Sequence, residues 1–123
     1  MTQQMVDIAK VLAIEPAPQS LEQLYTFRRP LEVSQFLDTH PFLVPLLVEA
    51  HGKIEQYFGP SPDVVLEVVT DPEAIDDREL FAFIRTSFLP DEALGRLDRF
   101  DDEWWLDAMD KTLGALCIDV EFL

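Results

Sequence analysis

Histidine and cysteine are the side chains that most often carry catalysis or bind transition metals, and this chain has three of them. His40 and His51 stand too far apart for an HExxH pair, and Cys117 has no second cysteine beside it. A protein zinc site needs three or four such ligands at short spacings. His51 lies near the apolar stripe of a helix, where a packed or half-exposed imidazole is a simpler interpretation than a base or ligand. The sequence predicts no zinc site, no catalytic residue and no cofactor.

Acidic oxygens gather in one short segment between two apolar stretches. Asp71, Glu73, Asp76 and Asp77 supply the ligand type that Ca²⁺ and Mg²⁺ prefer. The segment lacks the central glycine and the terminal bidentate glutamate of an EF-hand loop. A solvated, charged turn is therefore the favoured interpretation, and cation binding at these four residues remains an open alternative.

A second acidic group precedes two adjacent tryptophans. Acids in the first turn of a helix complement its dipole, so Asp101 is predicted to cap a helix, with Asp102 and Glu103 in its first turn. Neighbours on a helix point about 100° apart, so Trp104 and Trp105 cannot be buried equally. Trp105 is predicted to lie in the core and Trp104 at its boundary, where it could anchor a partner.

The net charge of -15 is concentrated in the second half of the chain, where residues 61–123 carry seventeen acidic and five basic side chains. Such a charge repels phosphate backbones, so direct nucleic-acid binding is disfavoured. The charge favours binding to a basic protein partner. The alternative, which stays open, is that the charge only keeps the protein soluble. Asp101 and Asp102 are the carboxylates predicted to meet that partner. The glycines complete no nucleotide-binding or hydrolase motif.

The elements that must position these residues follow from proline punctuation and hydrophobic period. With 123 residues, one domain at 20–123 is predicted, preceded by an N-terminal tail at 1–19 that is partly ordered or covers a partner surface. Helices are predicted from a Ser20 cap, from Pro30, over 41–58, from Pro90 and from Asp101. Strands are predicted at 63–70, 79–87 and 115–122.

These elements predict an α+β fold of order α-α-α-β-β-α-α-β. We expect a three-stranded antiparallel sheet, with the last strand beside the first in spatial order two-one-three, and all helices on one face. Leu31, Phe36 and Leu37 are expected to face inward from the second helix. Met109 and Leu113 of the last helix are also expected to face inward. The even-numbered residues of the last strand are expected to face the helices.

The opposite face of the sheet is predicted to be more apolar than a solvated face should be. It carries Val65, Val69, Phe81 and Phe83, together with Ala115 and Cys117. Contiguous apolar patches of this kind mark interaction surfaces. We expect either the N-terminal tail or a second copy of the chain to cover this face, the latter giving a homodimer.

The compartment is predicted from what the sequence lacks. A single cysteine forms no intramolecular disulfide, and the apolar run at residues 11–14 is too short for a signal-peptide core. The most apolar stretch, at 41–50, is half the length of a membrane span and contains two prolines. A cytoplasmic protein with no membrane contact is expected.

Three segments of the chain carry a resemblance to known sequences. FLDTHPFLVPLLVEAHGKI, LEVVTDPEA and RFDDEWWLDAMDKTLGALCIDVEF lie within residues 31–122. They resemble a family of short, acidic bacterial proteins to which no activity is assigned. The resemblance implies a bacterial cytosolic protein and carries over no catalytic residue, cofactor or substrate.

The functional hypothesis is a non-catalytic protein-interaction module, such as an inhibitor or an antitoxin-like partner of a basic protein. The alternatives are a small-ligand-binding module and an enzyme that uses a carboxylate with His51 in a pocket. A pocket that contains His51 would favour the enzyme. A solid core with an apolar sheet face would favour the interaction module.

Overall fold

The computed structural model describes residues 18–70 and 78–123. Most of the predicted tail and the predicted cation loop with Asp71, Glu73, Asp76 and Asp77 lie outside these residues. The helices are α1 (Pro18–Leu24), α2 (Pro30–Thr39), α3 (Leu43–Phe58) and α4 (Pro90–Phe100). The strands are β1 (Thr26–Phe27), β2 (Asp63–Thr70), β3 (Arg78–Thr86) and β4 (Leu116–Phe122).

A helical extension, residues 101–112, continues α4 towards β4. It consists of a π-helical turn (Asp101–Trp105), one α-helical turn (Leu106–Ala108) and a 3-10 turn (Met109–Thr112). The prediction that Asp101 caps a separate helix is wrong, because its backbone is helical, with φ -62° and ψ -50°. No side chain caps the start of the π turn with a hydrogen bond, and the backbone stays helical from α4 into this turn.

Proline sets the helix boundaries largely as predicted. Pro30 occupies the first turn of α2, where a missing amide hydrogen removes no helical bond, and α2 ends before the His40–Pro41 pair. The predicted Ser20 cap is wrong, since α1 begins two residues earlier, at Pro18. α3 begins at Leu43 instead of Pro41.

The sheet differs from the prediction in strand number, order and direction. Within residues 18–70 and 78–123 it has four strands in the order β1-β2-β3-β4, of which only the central pair is antiparallel, with Val65 opposite Phe83. β4 runs parallel to β3, with Leu80 opposite Leu116. A long helical connection joins β3 to β4. It returns the chain to the end of the sheet at which β3 begins, so that β4 can run in the same direction as β3. The three-stranded antiparallel order two-one-three is therefore wrong, and the α+β class is confirmed.

The place predicted for the last strand is taken by β1. This two-residue strand runs parallel to β2, with Thr26 opposite Val65 and Phe27 opposite Leu66. The amide of Arg28 extends the pairing by donating to the carbonyl of Leu66 at 2.9 Å. A strand of two residues is too short to show an alternating hydrophobic pattern, so it could not be predicted from the sequence.

One hydrophobic core joins the helices to a single face of the sheet. The strands contribute Val64, Leu66 and Val68, Leu80, Ala82 and Ile84, and Leu116 and Ile118. Phe36 and Leu37 of α2 are buried as predicted. Four residues predicted to face inward are instead exposed: Leu31, Met109, Leu113 and Phe122.

Candidate interaction surface

The sheet face turned away from the helices, here the second face, carries five of the six predicted apolar residues, whereas Ala115 is buried in the core on the helix side. Phe81 and Phe83 are half-buried and stack with ring centroids 5.3 Å apart. Val65 is buried, whereas Val69 and Cys117 are half-buried. Two phenylalanines with part of their surface open to solvent provide the large, rigid contact area that interfaces use.

Arg28 lies across this face and was not anticipated from the sequence. It follows β1, and its guanidinium carbon lies 6.0 Å from the ring centre of Phe83. Its Nη1 donates to Glu67 Oε1 at 2.8 Å, and its Nη2 donates to Glu121 Oε1 at 3.0 Å. These hydrogen bonds raise the pKa of Arg28 and lower that of Glu121. One side chain thus connects β1, at one edge of the sheet, with β4, at the other.

Arg29 shares the same carboxylate from an unusual backbone conformation. Its φ is 53°, in the left-handed region that few residues other than glycine adopt. Arg29 Nη2 donates to Glu67 Oε2 at 2.9 Å and to the carbonyl of Val68 at 3.2 Å. Consecutive side chains of an extended chain point to opposite sides, so the left-handed turn lets both arginines meet Glu67.

Further ion pairs border one end of the second face. Arg85 Nη1 lies 3.4 Å from Asp63 Oδ2, and Arg85 Nε lies 3.2 Å from Glu121 Oε1 without hydrogen-bond geometry. Towards the other end, burial together with the charges of Glu79 and Asp119 raises the pKa of Cys117 to about 11. The thiol is therefore protonated at neutral pH and is a poor nucleophile.

The π turn explains how two adjacent tryptophans both contact the core. A π-helical turn is wider than an α-helical one, so the angle between neighbours is smaller than in an α-helix. Trp105 is buried, and Trp104 is half-buried against Phe100, with ring centroids 5.6 Å apart. Trp104 Nε1 also donates to Glu49 Oε2 at 3.3 Å. The core and boundary positions are as predicted, and the role of Trp104 as an anchor stays a prediction.

Asp101 holds a carboxylate in a position that disfavours its charge. Its Oδ1 is buried and has no hydrogen-bond partner among the described residues. Burial raises its pKa to about 6, and the charges of Asp98, Asp102 and Asp119 act in the same direction. Asp101 lies between α4 and the 3-10 turn, both of which contact β4, so it lies on the β4 side of the molecule.

Eight carboxylates on residues 90–112 form what we term the acidic surface. Glu92 pairs with Arg96 at 2.7 Å, and Glu103 accepts a hydrogen bond from Tyr57 that raises the pKa of the phenol. Within the described part of the chain, the other six form no ion pair. The eight are Asp91, Glu92, Asp98, Asp101, Asp102, Glu103, Asp107 and Asp110.

The predicted partner-binding residues fall into two groups. Val65, Val69, Phe81 and Phe83 lie on the second face, and the three others, Asp101, Asp102 and Trp104, lie on the helical extension. The helical extension meets the sheet at β4, which its 3-10 turn contacts.

The histidines pack against aromatic rings. His51 meets Tyr25 edge-on at 5.6 Å, and His40 stacks on Phe36 at 4.1 Å. Among the described residues, no group of three or more His, Cys, Asp and Glu side chains is placed to hold a metal ion. Two surface depressions lie along 91–99 and 29–32, and His51 borders neither.

Comparison with known proteins adds no further guidance. No protein-family model, curated protein or solved structure matches the chain. Within the described ranges, no helix is long and apolar enough to cross a membrane.

Proposed function

We propose that this chain is a non-catalytic interaction module that binds a basic protein, in the manner of an inhibitor or an antitoxin-like partner. The acidic surface carries the proposal. Seven of its eight carboxylates are exposed, and residues 90–112 contain only three basic side chains. A field of one sign on one helical segment attracts an oppositely charged surface and speeds its approach.

Apolar side chains beside the acids supply contact area for the same partner. Leu94, Leu106 and Met109 are exposed by 46%, 54% and 40%, so each retains apolar surface that a partner can bury. Trp104 is held between the core and Glu49 and still has part of its indole exposed. Rigid, partly exposed tryptophans are frequent anchors of protein interfaces.

Self-association through the second face is a separate part of the proposal. It is supported by the half-exposed Phe81 and Phe83 beside Cys117. A homodimer that uses this face leaves the acidic surface of each copy open to a basic partner.

The test of the acidic surface is binding kinetics with a basic partner crosslinked and recovered from cells. Association should slow as salt rises, because exposed charges are screened beyond about 10 Å at 0.1 M. Replacing Asp102 by Lys should slow association about two- to fivefold, since surface charges set the rate of encounter. Trp104→Ala should mainly speed dissociation.

A matched control is Glu55→Lys, which makes the same charge change at an exposed position of α3. It should change association less than Asp102→Lys does, and circular dichroism checks that each variant is folded. Association that is independent of salt and unaffected by Asp102→Lys contradicts the proposal.

A further inference from the structure

Among the described residues, no strand pairs with the outer edge of β4. The hydrogen bonds between β3 and β4 show which backbone groups of β4 point outward. The amide of Leu80 donates to the carbonyl of Ala115 at 2.8 Å, and the amide of Leu123 donates to that of Thr86 at 3.1 Å. In a parallel pair, alternate residues use both backbone groups towards the neighbouring strand. The odd-numbered residues of β4 therefore face β3. The amides and carbonyls of Leu116, Ile118, Val120 and Phe122 point away from the sheet.

One of these outward amides is bonded to a neighbouring side chain. Asp119 Oδ1 accepts from the amide of Val120 at 2.8 Å, and Asp119 is exposed. Unpaired edges pair readily with another chain, and native proteins occupy or charge them to prevent this. A bond to an exposed carboxylate protects the edge, and water can replace it when an incoming strand takes up the amide. Among the described residues, no side chain bonds to the amides of Ile118 or Phe122.

Glu121 of β4 is paired with Arg28 and Arg85, but Asp101 and Asp119 form no ion pair within the described residues. The buried Oδ1 of Asp101 has no partner in the described chain, and the charges of Asp98 and Asp119 act on Asp101. A carboxylate that has lost water and gained no donor is stabilised by a cation brought to it. No basic side chain of the described residues forms an ion pair with Asp101, and Arg96 of α4 bonds instead to Glu92 and to the carbonyl of Tyr57.

We propose that the edge of β4 binds an extended, basic segment of the partner as a fifth strand. Backbone bonds to the outward groups of β4 supply affinity, and lysine or arginine side chains that meet Asp101 and Asp119 supply specificity. This inference rests on the proposed function. It specifies where the partner binds, at the edge of β4, and which side chains of the partner make the contact, lysine or arginine. A second copy is disfavoured as the occupant, because pairing of two β4 edges brings together the two unpaired Asp119 side chains and the acidic surfaces of two chains that each carry a charge of -15.

The probe is a synthetic peptide, acetyl-KVKVKVK-amide, added to the full ¹⁵N-labelled chain. Its backbone can pair with β4 while its lysines lie on one face. At saturation, amide hydrogen exchange of Ile118 and Phe122 should slow about tenfold, because newly bonded amides gain protection. The amides of Cys117 and Glu121 already bond to β3 and should change little.

Two controls separate strand pairing from simple charge attraction. The same peptide with alternate amides N-methylated keeps its charge but cannot pair, and it should not protect β4. Asp101→Asn should weaken binding of the unmodified peptide about fivefold, the scale of one partly exposed ion pair. Glu55→Gln, an equal charge change on α3, should leave it unchanged.

Equal binding of the methylated peptide, or an unmodified peptide that leaves the β4 amides unchanged, overturns the strand-addition proposal. The proposed function is tested by a different result. If a recovered basic partner binds with strong salt dependence and β4 is unaffected, the edge proposal is wrong and the interaction module stands. If no salt-dependent basic partner binds, the proposed function is wrong.

Discussion

At the scale of single residues, Asp101 is the side chain whose charge the fold opposes. Its pKa rises from 3.8 to about 6, chiefly because the carboxyl is removed from water. The native state therefore binds more protons than the unfolded state between these two values. The stability of the chain must fall as the pH rises through this window, and the cost is fully present above pH 6.

Removing the charge of Asp101 should stabilise the chain at neutral pH. We expect Asp101→Asn to raise the free energy of unfolding at pH 7 by about 1 kcal/mol, after allowance for the partial solvent exposure of this carboxyl. The gain should shrink towards pH 4, where the wild-type carboxyl is itself protonated in the native state. Urea denaturation at both pH values measures the difference.

The matched control is Asp102→Asn, an exposed neighbour for which the same change should have little effect. A loss of stability in Asp101→Asn at pH 7 would mean that the carboxylate has a stabilising partner. The predicted gain in stability and loss of peptide affinity would together identify Asp101 as a residue that favours binding at the cost of stability.

Arg28 shows why some residues of the second face could not be anticipated. The hydrophobic pattern predicted Phe81 and Phe83, because alternation along a strand depends only on local sequence. The position of Arg28 depends on a two-residue strand and on carboxylates 39 and 93 residues away, at Glu67 and Glu121. Two adjacent arginines in an acidic chain suggest ion pairs, but the sequence does not show which carboxylates they contact.

At the scale of elements, helix starts could be predicted where a proline begins the helix. The neighbour and the direction of β4 in the sheet could not be predicted. Pro30 and Pro90 fix their helices locally, since the ring restricts φ and removes one amide hydrogen. The direction of β4 depends on how the whole connection from α4 packs across the sheet, which no local pattern contains. The π turn likewise depends on two tryptophans meeting the same core.

The end of the helical extension contains a backbone conformation that its sequence does not favour. Leu113 has φ 54° and ψ 31° and is 81% exposed, so its side chain gains little from packing to offset the strain. Gly114 follows, with φ 81°. A left-handed residue is expected at the end of a helix, and glycine is the residue usually found there.

Leu113→Gly should therefore stabilise the chain. Glycine adopts the left-handed region without a steric penalty, and this gain should exceed the extra entropy of the unfolded chain by about 0.5–1 kcal/mol. Thermal or urea denaturation measures the change in the free energy of unfolding.

Leu106→Gly is the comparison, because Leu106 is also exposed and has a helical backbone with φ -60°. There glycine should destabilise the chain by about 1 kcal/mol. The same sign of effect at both positions would show that backbone conformation is not the deciding factor at Leu113.

At the scale of the whole molecule, the charge of -15 gives the two proposed associations opposite responses to salt. Binding of a basic partner weakens as salt screens the attraction. Two copies of this chain repel each other, so association through the apolar second face should strengthen as salt screens the repulsion.

Self-association should therefore be visible by sedimentation equilibrium at about 0.5 M salt and be weaker at about 0.02 M, where charges act over longer distances. Phe83→Glu should abolish it at both salt concentrations, because the substitution places a carboxylate between the half-buried Phe81 and Val65 of the second face. The variant must be shown to fold by circular dichroism, since Phe83 also lies under Arg28.

Val48→Glu serves as the matched control, because Val48 is 43% exposed on α3, which packs on the opposite side of the sheet. It should leave the mass at high salt unchanged, whereas a Phe83→Glu chain sediments as a monomer. A wild-type chain that is monomeric at both salt concentrations would rule out a homodimer through the second face. The half-exposed Phe81 and Phe83 would then have to be covered by another part of this chain or by the basic partner.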